Sequence, residues 1–185
     1  MSADPASTYV ALLHHPMRDV TGAIVTTALT TLDLHDIART CRTYGIAGYF
    51  IVHPIPAQRS IAERITTHWN EDGRHDFRKQ ALDRVTITST LEEAEAQVEA
   101  RTGRRARLVA TSAKAQTGAI PLSALQAMEG PTLLLLGTGF GMSETLLARA
   151  DCCLLPLRGP SDYNHLSVRS ACAILLDRLY GDRKD

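Results

Sequence analysis

The chain has 185 residues, 44% of them apolar and only 5% aromatic, which suits one domain built around an aliphatic core. Lys plus Arg and Asp plus Glu number 20 each, so the formal net charge is zero; a strongly basic nucleic-acid binder is excluded, and phosphate contact is left to local patches. The four cysteines, Cys41, Cys152, Cys153 and Cys172, form no CxxC, so no metal site is expected, and no apolar stretch approaches the roughly 18 residues of a membrane span.

Met1–Ser7 read as a loose tail. Tyr9–His14 is a short apolar run, expected as a buried strand, and a Gly- and Thr-containing loop follows through Arg18, Asp19 and Gly22. Asp33–Tyr44 reads as a helix capped by Asp33 and closed by Gly45, with Ile37, Cys41 and Tyr44 at helical spacing. Gly48–His53 is a second strand stopped by Pro54 and Pro56, Ala57–Asn70 a helix, and Glu71–Arg78 a polar loop. Val85–Thr88 is a third strand. Thr90–Thr102 is a helix with a Thr90/Glu93 capping box, ended by Gly103. Ala106–Thr111 is a strand, Pro121–Met128 a short helix, and Thr132–Leu136 a fully apolar strand running into Gly137. Ser143–Arg149 is a brief helix, Cys152–Leu155 a strand ended by Pro156, and His165–Tyr180 a long final helix. Cys152 and Cys153 read as small core residues. Continuously apolar strands alternating with helices give an α/β domain with a mostly parallel sheet and helices on both faces. Free thiols, and no basic-then-apolar leader, point to the cytoplasm.

Four constellations can carry chemistry. In Leu133–Glu144 an apolar strand enters Gly137, Gly139 and Gly141 and then a helix start. Bare glycines at a strand's carboxyl end let main chain approach a nucleotide-like ligand, or simply make a tight turn. The spacing is neither GxGxxG nor a P-loop. In Leu154–Ala171 a strand ends at Pro156 and a polar loop leads to Asn164, His165 and a helix. In Thr30–Gly45 the residues Asp33, His35, Asp36, Arg39 and Arg42 crowd one helix; a solvated, ion-paired face is the bland alternative. His14 and His15 end the first strand beside Arg18. Arg74–Lys79 and Arg101–Arg107 are basic clusters, serving solubility or RNA phosphates.

Taken in order, these segments resemble the SPOUT RNA methyltransferases, in the branch of tRNA ribose 2′-O-methyltransferases. ARTCRTYG, with Arg39 ahead of Gly45, is similar to that branch's first motif; LLLLGTGFGMS to its second; LLPLRGPSDYNHLSVRSACAILL to its third. Over Tyr9–Tyr180 the chain resembles more closely a bacterial group found alone or fused to a tRNA guanine-N1 methyltransferase, TTALTTLDLHDIARTCRTYG being its most typical stretch. The resemblance implies one domain over 1–185 with a trefoil knot at about 106–180, and a homodimer packed through the knot and final helix.

It implies S-adenosylmethionine as donor, leaving as S-adenosylhomocysteine, bound bent by main chain of the knotted loops. Carried onto this sequence, the donor residues are Leu136, Gly137, Thr138, Gly139 and Gly141, then Leu155, Pro156 and Leu157, then Asn164, His165 and Ser167, with Thr111 and Ser112 adjoining. The acceptor is RNA, tRNA or rRNA, first of all at a ribose 2′-hydroxyl. Arg39 is the first-motif residue expected to assist deprotonation, by holding phosphate or an alkoxide, since its own pKa forbids a free base in water. Asp33, His35 or Asp36 would serve a base nitrogen, and Arg18 and Arg42 would grip phosphates. Two other classes remain open: a non-catalytic donor- or RNA-binding subunit assisting a partner methyltransferase such as the guanine-N1 enzyme, and a different α/β nucleotide enzyme using the Gly137 loop for phosphates.

Overall fold

The computed structural model describes residues 4–71 and 77–182. Its strands are β1 (Thr8–Leu13), β2 (Met17–Arg18), β3 (Ile24–Val25), β4 (Gly48–Val52), β5 (Val85–Thr88), β6 (Arg107–Ala110), β7 (Thr132–Gly137) and β8 (Cys152–Cys153). Its helices are α1 (Thr31–Thr43), α2 (Pro56–Glu71), α3 (Phe77–Leu82), α4 (Leu91–Thr102), α5 (Leu122–Gln126), α6 (Glu144–Arg149) and α7 (Val168–Tyr180). Six strands form one wholly parallel sheet in the order β5-β4-β1-β7-β6-β8, and β2-β3 is a separate antiparallel hairpin.

The apolar runs are strands because both faces of the sheet are covered. On β1 and β7, Val10, Leu12, Leu134 and Leu136 point to one face and meet α1, α5 and α7. Their alternates Tyr9, Ala11, Leu133 and Leu135 point to the other and meet α4 and α6. Parallel strands place every carboxyl end at one edge, where the loops after β1, β4, β6, β7 and β8 gather.

Local details correct several expectations. Thr30 caps α1: its side chain accepts from the Asp33 N–H at 3.1 Å while its hydroxyl donates to Asp33 Oδ2 at 2.7 Å. Asp33 is therefore the third helical residue rather than the cap. Pro5–Ser7 form a 3-10 turn capped by Asp4, whereas 1–3 lie outside the described residues. Phe77 and Arg78, expected at the end of a polar loop over Glu71–Arg78, open the helix Phe77–Leu82, whose Ala81 and Leu82 bury against the α1 side; Arg74 and His75 lie outside the described residues. The last helix starts at Val168, with Ser167 accepting from the Ser170 N–H at 3.3 Å, not at His165. Cys152 and Cys153 are half-exposed, since β8 is an edge strand, and all four thiols are free. No helix among the described residues is long and apolar enough to cross a membrane, and no metal-holding cluster of His, Cys, Asp or Glu occurs among them.

Candidate functional site

The carboxyl edge parts between β6 and β7. The chain leaves β6 toward α5 on one face of the sheet and leaves β7 toward α6 on the other. Neighbouring strands whose connections diverge in this way leave a crevice at their carboxyl ends. One wall is the 138–143 loop. The other is made by the 111–121 and 154–167 segments, which are tied together: Ile120 N–H donates to Cys153 O and Leu155 N–H to Ile120 O, both at 2.8 Å, and Asn164 Nδ2 donates to Ala113 O at 2.8 Å.

The glycine loop is closed by the β2–β3 hairpin. Arg18 N–H donates to Gly141 O at 2.9 Å, Phe140 N–H to Arg18 O at 3.2 Å, and Ser143 N–H to Pro16 O at 3.1 Å. Thr138 Oγ1 donates to Leu13 O at 3.0 Å and lies 2.5 Å from Thr27 Oγ1. The three glycines differ. A Cβ on Gly137 would stand 2.7 Å from Met142 Cγ, so this glycine makes room for the protein's own core. Gly139 has φ +59 and faces Thr27 and the Arg18 carbonyl at 3.0 and 3.4 Å. Gly141 has φ +103, and a Cβ there would meet nothing within 4 Å, so no side chain stands over its main chain, although its N–H already donates to Thr138 O at 3.1 Å.

On the opposite wall, Thr111 donates its hydroxyl to Leu135 O at 2.9 Å, and Ser112 Oγ accepts from Lys114 N–H at 3.0 Å. Leu136 is a buried strand residue, Leu157 packs against the α1 face, and Pro156 is half-buried. Leu155, Tyr163 and Leu166 are exposed, and the His165 ring meets Tyr163 edge-on at 5.3 Å.

Beside this wall the starts of α1 and α7 meet through charge. Arg169 of α7 reaches Asp33 Oδ1 with Nη1 at 3.3 Å and Asp36 Oδ2 with Nε at 3.4 Å. Asp33 is nearly buried, Asp36 half-exposed. The four acid–base candidates on α1 are thereby split. Asp33 and Asp36 face α7; Asp36 pairs with Arg169, not with Arg39. His35 turns toward α2, lining a groove of about 650 Å³ with Ile61, Arg64 and His68. Burial lowers the His35 pKa, with Arg78 and Arg39 adding to the effect and Asp36 opposing it. This groove lies apart from the glycine loop. Arg39 is exposed, six residues past Asp33 and about 9 Å along the axis. Arg42 is about 13 Å along it, near the far end of α1, too distant to join the same cluster. Arg18 pairs with Glu144 Oε1 at 2.6 Å across the hairpin and the start of α6.

Arg169 escaped sequence reasoning, and the state of His14 could not be read from it. Arg169 has no motif of its own; its signal is an arginine in the first turn of a helix that must pack on an acidic one. His14 stood out only for its position. Its Nδ1 lies 3.1 Å from Val52 O, and since a carbonyl only accepts, Nδ1 carries the proton and Nε2 is a bare acceptor, buried without a partner. The ring stacks on His53 at 4.7 Å. Burial pulls its pKa down to about 4; the bond to Val52 O opposes this and His53 adds to it. His14 is therefore neutral at pH 7.

Residues 7–181 match the profile of a SAM-dependent RNA methyltransferase family. An uncharacterized protein of Aquifex aeolicus is 41% identical over 179 residues, covering 93% of this chain and 87% of that protein. A tRNA (guanine-N(1)-)-methyltransferase of Oleidesulfovibrio alaskensis is also 41% identical over 179 residues, but the match covers 94% of this chain and only 42% of that longer protein. The fold is similar to that of the A. aeolicus TrmH/SpoU tRNA modifying enzyme, with TM-score 0.59, 15% identity, and coverage of 95% and 74% of the two chains. It is also similar to a structure described as giving insights into the 2-OH methylation of C/U34 on tRNA, with TM-score 0.58, 18% identity, and coverage of 94% and 88%.

Proposed function

Because the chain belongs to the SAM-dependent RNA methyltransferase family, matched over residues 7–181, we propose that it methylates tRNA at a ribose 2′-hydroxyl, with the β6/β7 crevice as donor site. The observation that carries this reading is an acid–arginine cluster, Asp33–Arg169–Asp36, at the start of α7, two residues past the Ser167 cap that ends the 154–167 segment. The crevice suits an adenosine-bearing donor. One wall offers main chain at Gly139 and Gly141, and the other offers exposed Leu155 and Leu166 with the Asn164-anchored loop.

When bound there, the donor supplies an electrophilic methyl group on a sulfonium. The chain's own residues must orient a hydroxyl and take its proton. Asp36 is the carboxylate that takes this proton, being half-exposed and oriented by Arg169. Asp33, fixed by Thr30 and Arg169, holds the arginine in place. Arg39, exposed on the same helix, holds the RNA phosphate next to the reacting sugar. Residues from about 106 to 180 form the trefoil knot, and two copies pack through it and α7, on which Ala171 and Ile174 are only half-buried in one chain. The protein works in the cytoplasm.

A base nitrogen is the second reading, favoured by the guanine-N1 name of the O. alaskensis relative. One experiment separates the two. Bulk tRNA is incubated with the protein and methyl-labelled S-adenosylmethionine, then digested to nucleosides for mass spectrometry. Label on ribose supports the proposal. Label on 1-methylguanine or another base moves the acceptor, and donor binding without transfer makes the chain a binding subunit.

A further inference from the structure

At the sheet's opposite, amino-terminal edge lies a second polar cleft, of about 260 Å³, lined by Arg104, Arg105, Arg107, Glu129, Gly130 and Asp151. We propose that this cleft holds a backbone phosphate of the substrate RNA, away from the methylated nucleotide; the inference rests on the RNA reading above.

The turn after α4 builds it. Gly103 ends the helix in the left-handed conformation, φ +70, and the next four residues bring three guanidinium groups to one place. Arg104 lies flat on the bare face of Gly130, its Nη2 3.1 Å from where a Cβ would stand. It is exposed and pairs with no carboxylate among the described residues, so its planar fork of donors is free. Arg105 reaches Asp151 at 3.1 Å; the arginine side chain is 60% exposed, so it can swing to a phosphate while Asp151, 34% exposed, stays on the Leu108 N–H. Arg107 uses one N–H on Glu129 O at 3.3 Å.

The frame beneath is stiff. Arg107 N–H donates to Pro131 O at 2.8 Å, and Asp151 closes a two-way link with Leu108, accepting its N–H at 2.8 Å and donating its own to Leu108 O at 2.9 Å. The cleft is smaller than the usual ligand pocket of about 300–1,000 Å³, which suits a phosphodiester rather than a whole cofactor. The lining sets three arginines, Arg104, Arg105 and Arg107, against two carboxylates, Glu129 and Asp151, a local excess of one positive charge. From Pro131, just before β7, to Gly137 at its end the six steps span about 20 Å, a distance that a folded RNA covers and a mononucleotide does not.

The test uses the full chain, bulk tRNA and a range of KCl concentrations. Arg104→Gln is compared with wild type and with Arg64→Gln, an equal loss of charge on α2. The expected result is a several-fold loss of tRNA affinity at low salt for Arg104→Gln. The log–log salt slope should become shallower by about 0.7–0.9, the value of one phosphate contact, while Arg64→Gln keeps the wild-type slope. S-adenosylmethionine affinity and the rate at saturating tRNA should not change. A slope equal to wild type in a protein that methylates RNA overturns the cleft and leaves the methyltransferase reading standing. A reduced slope in a protein that transfers no methyl supports the cleft and sinks the catalytic reading. No tRNA binding by wild type overturns both.

Discussion

Gly137 ends β7 and Gly141 lies four residues on in the loop that follows, and replacing each with alanine should fail for opposite reasons. In Gly137→Ala the new Cβ lands 2.7 Å from Met142 Cγ, 3.2 Å from the Met142 nitrogen and 3.4 Å from Met17 Sδ. Ordinary carbon contacts are about 3.5–4.0 Å, so the Met142 side chain must retreat by about 1 Å. It has little room. Met142 and Met17 are both buried, and their backbones bridge each other across the hairpin. Overpacking of this kind costs about 1–3 kcal/mol. Met142→Ala alone leaves a cavity and costs about 2–5 kcal/mol. If the clash is real, the double variant is more stable than the sum of the two losses by at least about 1 kcal/mol, a coupling that urea denaturation followed by circular dichroism resolves. Gly141→Ala has no clash to relieve; it costs about 1–2 kcal/mol for a left-handed φ and gains nothing from Met142→Ala. Additive losses for Gly137→Ala and Met142→Ala would refute the packing explanation and return Gly137 to the donor-binding main chain.

Arg39→Ala should leave S-adenosylmethionine affinity by calorimetry unchanged and abolish methyl transfer; equal loss of both would remove Arg39 from the acceptor side. Arg169→Met should destabilise by about 1–2 kcal/mol, below the roughly 3–5 kcal/mol of a fully buried broken pair because Arg169 and Asp36 are partly solvated. Asp33→Asn in the same background should recover part of that loss in thermal unfolding. His14 binds protons less readily folded than unfolded, so the unfolded chain takes up the extra proton between pH 6.5 and about 4. Stability should therefore fall across that window as pH drops, by up to about 3 kcal/mol from this group, and level off below it. His14→Phe should flatten the fall relative to wild type, and an unchanged profile would show that the ring titrates freely.

The parallel sheet was legible because β1, β4 and β7 are almost wholly apolar, a pattern that only burial on both faces explains. The Thr90 cap was legible because its partner is local in sequence: Thr90 Oγ1 accepts from Glu93 N–H at 3.2 Å, while the Glu93 carboxylate turns one residue further back, to Ser89 N–H at 2.8 Å. What escaped is non-local. β2 and β3 have two residues each, too few for any period, and they exist because Arg18 and Pro16 find partners 122 to 127 residues away in the glycine loop. Phe77–Leu82 is too short to show a helical period and is helical through two buried residues, Ala81 and Leu82. Within the candidate site the glycines stood out as a group, but sequence could not tell the one that accommodates Met142 from the one that faces open space. Nor could it show that Asp36 would choose Arg169 over Arg39, since both arginines are equally available on paper.

The Asp33–Arg169 contact gives the site its logic. Arg169 stands two residues beyond Ser167, the cap that ends the 154–167 segment, and that segment is tied by Asn164 to the loop after β6. One wall of the crevice is thus continuous, through one turn of α7, with the carboxylates of α1. An isolated ion pair at half-exposed positions contributes little stability, so stability alone is a weak reason for this one. Its geometry is the stronger reason: a planar guanidinium with Nη1 on one aspartate and Nε on the next fixes the rotation of α1 against α7 in a way that apolar contacts between Cys41, Leu175 and Leu176 do not. Lysine at 169 could satisfy the charge but not both directions at once, so Arg169→Lys should keep the fold and loosen the register between the crevice wall and Asp36. Thermal unfolding would then stay near wild type while the rate of methyl transfer falls, and an unchanged rate would show that the forked contact positions nothing.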